Sequence, residues 1–245
     1  MRISEHVYQL TGSCYGTNSS IYALDAGDEL ILFDAGFTDY QMNTADKVRK
    51  RWKLYSKPIT HVVLTHAHRD HAGNAWRYQK EGARILVGEA DGEVLSKGGP
   101  VTLDCLFGRE FVCCQPDALV RAGDRWSFGQ AEVEAVALPG HTQGSMGYLL
   151  RVDAMTFFVT GDFVALGLAA PDETSQEIML SAMIRPGFLE KEYGESLKKA
   201  ESLHADILLP GHLITYEGDV KRVFASAYAK YQSTPHEIMD ISKRE

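Results

Sequence analysis

The stretch "LTHAHRDHAGN", Leu64 to Asn74, places three of the chain's nine histidines and an aspartate within six consecutive positions, His66 to His71. Residues two apart on an extended segment project to the same side, so His66 and His68 can reach one metal from the end of the strand expected in "ITHVVLTH". Asp70 and His71 follow where the chain turns into a helix, and their side chains point to a second spot a short distance away. One metal ion per pair is the natural consequence. Further donors stand at the ends of other apolar runs: His141 in "LPGHTQGS", Asp162 in "VTGDF" and His212 in "LPGH". A glycine beside each (Gly140, Gly161, Gly211) lets the backbone turn sharply and brings the donor close to the ions. Five imidazoles and two carboxylates suffice for two ions, with a carboxylate between them and a position open to water. A structural zinc site would instead be closed by four ligands, often cysteines. Metal binding can lower a water pKa from about 15.7 to roughly 7, so hydroxide is available at neutral pH.

Working outward, "HVYQL", "SIYAL" and "ELILFDAG" have the β-branched and aromatic content of consecutive antiparallel strands. "YQMNTADKVRKRW" and "NAWRYQKEG" read as helices around the strand "ITHVVLTH", and "ARILVG" as a further strand. The order repeats: strands "EVEAVAL", "MGYLLRV" and "MTFFVTGD", a helix in "EKEYGESLKKAESLHA" with apolar contacts at Tyr193, Leu197 and Ala200, a strand "DILLPGH", and a closing helix "DVKRVFASAYAKY". Two sets of strands, each with helices to cover it, suggest two sheets packed face to face with helices outside, in one domain over 1–245. Two stretches, 96–119 and 164–188, read as irregular inserts of a length that often serves as a lid or pocket wall.

The chain has 245 residues, 44% of them hydrophobic, and a net charge of −8. That charge and the lack of a clustered basic footprint exclude a nucleic-acid partner. The N-terminus lacks the apolar run of a signal peptide, and no window is apolar enough for a membrane span, so a cytoplasmic location without membrane contact is expected. The four cysteines, Cys14, Cys105, Cys113 and Cys114, show no C-x-x-C spacing; they read as reduced thiols, mostly buried. His61 and His204 belong to no motif and are not expected as ligands, while His6 and His236 are expected to be solvated.

These motifs resemble those of the metallo-β-lactamase superfamily, and within it the glyoxalase II-like hydrolases. "THAHRDH" fits a T-H-x-H-x-D-H signature, "PGHTQGS" a P-G-H-T-x-G-S element, "TGD" a bridging aspartate and "PGH" a last histidine, in family order. "NSSIYALDAGDELILFDAG" is similar to the family's opening strands and their aspartate-glycine turn. The resemblance implies an αββα four-layer sandwich of mixed α/β (α+β) class. It puts His66, His68 and His141 on a first metal, Asp70, His71 and His212 on a second, Asp162 between them, and Asp34 where a carboxylate orients a ligand by hydrogen bonding.

The implied activity is that of a dinuclear hydrolase, attacking a small carbonyl ester, thioester or lactone with a metal-bound hydroxide while Asp70 carries a proton. The cofactors are two divalent ions, Zn, with Fe or Mn as alternatives. Asp162 stands where class B β-lactamases carry Cys or Ser, and His68 where flavodiiron proteins carry Glu. The short remainder after His212 does not match the helical glutathione-binding domain of true glyoxalase II. The rival readings are an iron-dependent oxygenase or redox protein on the same fold, a phosphodiesterase, and a non-catalytic metal-binding module. The expected partner is a small-molecule substrate, and the oligomeric state is open between monomer and homodimer.

Overall fold

A computed structural model describes residues 1–108, 110–168 and 176–242. The first sheet is built from β1 (Val7–Gln9), β2 (Tyr22–Asp25), β3 (Leu30–Phe33), β4 (Ile59–Val63), β5 (Arg84–Gly88) and β6 (Ala118–Val120), in that spatial order. Its first three strands run antiparallel, and β3 to β6 run parallel. Helix α1 (Asp39–Arg51) makes the crossover from β3 to β4. The short helices α2 (Arg69–Ala72) and α3 (Ala75–Lys80) lead from β4 to β5, and α4 (Gly92–Lys97) and α5 (Asp104–Phe107) precede β6.

The second sheet contains β7 (Arg125–Phe128), β8 (Ala131–Ala137), β9 (Met146–Val152) and β10 (Met155–Gly161). A hairpin follows, β11 (Val164–Leu168) with β12 (Gln176–Leu180), and then β13 (Ile184–Arg185) and α6 (Glu190–Ala200). The chain returns through β14 (Ile207–Pro210), β15 (Tyr216–Glu217), α7 (Val220–Ser233) and β16 (Met239–Asp240). The spatial order is β15-β14-β10-β9-β8-β7, with β10 and β14 parallel.

Strand side chains alternate between faces, and that alternation sorts the apolar residues into three cores. Ile31 and Phe33 of β3 face the second sheet, where Tyr148, Phe157 and Leu209 meet them. Leu30 and Leu32 of the same strand face outward, onto Ala45 and Val48 of α1. On the far side, Leu208 of β14 and Phe158 of β10 pack against Leu197 of α6 and Phe224 of α7. A strand apolar on both faces has to be covered on both, and the result is the expected αββα sandwich, with mixed α/β content.

Some expectations change. The 164–188 stretch is not irregular throughout: its described parts include β11 and β12, paired antiparallel with Val164 opposite Leu180, and β13. Within the two expected lid inserts, Arg109 and residues 169–175 lie outside the described residues. The thiols are not mostly buried. Cys114 is buried, but Cys14, Cys105 and Cys113 are exposed, because they sit on short helical turns and the extended segment after α5 rather than on core strands. His6 is half-buried and pairs with Asp153 at 2.5 Å, and His236 stacks on Tyr231. Among the described residues no helix is long and apolar enough to cross a membrane.

Candidate metal centre

The loop after β4 carries His66 and His68, and α2 carries Asp70 and His71, so the THAHRDH segment lies at the carboxyl end of a buried parallel strand. Loops following β8, β10 and β14 bring His141, Asp162 and His212 to the same end of the sandwich. The local chain geometry allows a close fit. Gly161 has φ +54°, and a Cβ there would meet Thr65 Oγ1 at 2.5 Å; a Cβ on Gly211 would meet Asp162 Oδ1 at 2.4 Å. Both glycines therefore serve close approach.

All seven expected residues converge into two groups that share one member. Donor atoms of His66, His68, His141 and Asp162 lie within 4.8 Å of one another, and so do those of Asp70, His71, Asp162 and His212. Asp162 reaches both: its Oδ2 is 3.4 Å from His141 Nε2 and 3.2 Å from His212 Nε2, and its Oδ1 is 3.0 Å from His71 Nε2. Asp70 Oδ2 lies 3.3 Å from His212 Nε2. His61 stays outside, its ring against Phe128.

The far nitrogens of four of the five rings, those of His66, His71, His141 and His212, are held. His71 Nδ1 donates to Asp34 Oδ2 at 2.8 Å and His212 Nδ1 to the Asn18 carbonyl at 3.0 Å. His141 Nδ1 meets Ser181 Oγ and the Ala182 carbonyl, and His66 Nδ1 meets Thr65 Oγ1. With the proton held on Nδ1, the Nε2 lone pair points inward. The inward Nε2 atoms of His66, His68 and His141 are buried without a hydrogen-bond partner, and Nε2 of His71 lies 3.2 Å from Nε2 of His212. Buried polar atoms are normally satisfied. Lone pairs gathered in this way, with two carboxylates, suit cations, so the residues present fit metal ions.

The two groups differ electrically. Burial, reinforced by neighbouring imidazoles, keeps His66 and His68 well below the ordinary histidine range, and burial also lowers His141. They are held neutral, the form that ligates. Burial acts in the same direction on His71 and His212, but Asp162 and Asp70 overcome it: His71 is raised well above its ordinary value and His212 to about 10. The carboxyls of Asp70 and Asp162 are lowered despite burial by the same histidines.

Supporting residues beyond the seven donors complete the site. Asp34, at φ +65°, accepts from Thr65 N at 2.7 Å and Thr65 Oγ1 at 2.9 Å as well as from His71. Asp91, 1% exposed, accepts from Ala67 N at 2.9 Å, Thr142 Oγ1 at 2.8 Å and Gly144 N at 2.8 Å. Asn18 donates to Asp70 Oδ2, and Tyr193 Oη joins the Phe163 carbonyl to the Ser181 amide. Of these only Asp34 is legible from a motif. A cavity of about 200 Å³ opens on the group, with His68, Asp70, His141, Asp162 and His212 in its lining.

A family model described as the metallo-beta-lactamase superfamily matches residues 14–212. The uncharacterized protein YobT of Bacillus subtilis is 27% identical over 159 residues, 61% of this chain and 65% of that protein. The probable metallo-hydrolase YqgX of the same organism is 25% identical over 150 residues, 61% of this chain and 67% of its own length. The chain therefore spans about two-thirds of these relatives. A HARLDQ-motif mutant of a metallo-beta-lactamase from Cronobacter sakazakii superposes with a TM-score of 0.72 at 21% identity, covering 95% of this chain and 94% of that one. At that identity the likeness is one of fold.

Proposed function

Because this chain belongs to the metallo-beta-lactamase superfamily, we propose that it is a dinuclear metal-dependent hydrolase of a small carbonyl ester, thioester or lactone. The observation that carries this reading is the pair of four-residue donor groups sharing Asp162 at the floor of a cavity. His66, His68 and His141 would hold one divalent ion, Asp70, His71 and His212 the other, with Asp162 between them. Zn suits this nitrogen and carboxylate set, as do Fe and Mn. Bound there, the ions supply Lewis acidity, lowering the pKa of a water and polarising a carbonyl oxygen.

The chain's own residues do the rest. Asp34, Thr65, Ser181 and the Asn18 carbonyl fix ring orientations, which raises ligand basicity and keeps the donors aimed. Asp70 is ionised and lines the cavity, the state and place for a group that takes a proton from the attacking water and returns it to the leaving atom. The water oxygen forms the new acyl C–O bond. The bond to the leaving oxygen or sulfur breaks with its electron pair going to that atom, which takes one water proton while the other is released with the carboxylate. Leu103, Leu106 and Phe107 of the 96–119 insert and Val164, Leu180 and Ile184 of the 164–188 insert, both within a single domain, supply wall residues. A net charge of −8 suits a small-molecule partner rather than nucleic acid.

Proton release at constant pH, measured on lactones, esters, thioesters, β-lactams and phosphodiesters, tests the reading with chelator-stripped and metal-reloaded protein. Hydrolysis of a carbonyl class should return on reloading. Loss of an outer orienting group commonly costs 10–100-fold, so loss of the shared ligand in Asp162→Ala should cost more than about 100-fold. Full metal content and full activity in that variant, or turnover of phosphodiesters alone, would overturn the reading.

A further inference from the structure

We propose that the substrate is uncharged and carries an apolar chain, bound by a wall made of Leu103, Leu106, Phe107, Val164, Leu180 and Ile184; this rests on the hydrolase reading above. These side chains line the same cavity as the donor groups. They come from two separate parts of the fold, the α5 segment and the β11–β13 region, which contribute to one cavity. The wall is held in place: Phe107 packs edge-on against Phe37, with ring centroids 4.9 Å apart.

Among the described residues, this wall offers no charged side chain to recognise an ionic group. Among the described residues that line the cavity there is no Lys or Arg. Arg69 is close in sequence to the ligands, but its guanidinium lies 3.6 Å from Asp104 and it lines a different hollow with Phe37 and Tyr40. A substrate carboxylate, phosphate or sulfonate away from the reacting carbonyl would find no fork of donors to replace its water. An apolar chain, by contrast, gains by leaving water at this wall. Leu106 is 39% exposed, a large apolar side chain at the mouth of a polar-floored cavity, as expected of a surface that a ligand covers.

The test uses the metal-loaded full chain and straight-chain acyl esters of one alcohol, from acetate to decanoate, with ω-carboxylate esters of matched length. Burial of one methylene corresponds to about fourfold in kcat/KM. The series should climb by about that factor per methylene over its first members and then level off, and the ω-carboxylates should fall at least about tenfold below their neutral counterparts. Leu106→Arg, at an exposed position that does not threaten folding, should flatten the climb and close the gap between neutral and charged esters. Turnover independent of chain length, equal turnover of the ω-carboxylates, or an unchanged profile in Leu106→Arg would overturn this proposal and leave the hydrolase reading standing. No turnover of any ester, thioester or lactone would overturn both.

Discussion

Asp91 accepts three hydrogen bonds from two loops, and those loops carry His66, His68 and His141. Its burial pushes the carboxyl up while the three donors pull it down. In Asp91→Asn an amide NH₂ must replace one carboxylate oxygen and face donors, leaving at least one buried group unsatisfied. The expected result is a 10–100-fold loss of metal affinity in competition with a chelator. A fall in melting temperature with unchanged metal affinity would make the residue structural only. The contrast with His66 to His71 explains what was legible. Those four donors announce themselves because they fall within six consecutive positions and their spacing alone divides them between two points. Asp91, in "GEADG", has no local pattern; its partners lie 24, 51 and 53 positions away, and only the approach of two loops gives it a role.

Tyr193 shows how one element braces the centre. It is read as an apolar contact of a helix from its spacing with Leu197 and Ala200, and all three are buried in the core over the second sheet. Its hydroxyl, invisible to that spacing, ties the carbonyl next to Asp162 to the amide of the residue that orients His141. Tyr193→Phe leaves the packing and strips both bonds, at a cost of about 1–3 kcal/mol for the unsatisfied groups. That corresponds to a fall of roughly 2–10 °C in melting temperature for a chain of this size, visible by calorimetry, together with a lower kcat/KM. Unchanged stability and kinetics would show that the clamp is idle. Strand β3 was legible because burial on both faces leaves an unbroken apolar run, "LILF"; its parallel pairing with β4 was not, since that run alone does not set strand direction. Strands β11 and β12 were not, because "VALGL" has no alternation and their pairing is with each other.

At the scale of the molecule, the donors come from both sheets: His66, His68, Asp70 and His71 follow β4, whereas His141, Asp162 and His212 follow β8, β10 and β14. Metal ions there would tie one sheet to the other. At a free metal concentration 100 times Kd the gain is about 2.7 kcal/mol, on the order of 5–10 °C in melting temperature, lost when a chelator is added. The stripped protein should respond to pH as well. Burial lowers His212, but Asp162 and Asp70 raise it to about 10, so its proton stabilises the fold fully below its ordinary value of about 6.5 and no longer does so once pH has risen through about 10. The difference in melting temperature between loaded and stripped protein should therefore widen from pH 7 to 10, and a narrowing would contradict the assignment of the cluster. The first sheet is drawn wholly from residues up to Val120 and the second wholly from residues after Asp124. Neither half of the polypeptide holds a complete donor set. On the proposed reading, a nascent chain whose first half has emerged, or a proteolytic fragment ending between the sheets, would be chemically silent, and the proposed activity would be acquired only when the two halves dock.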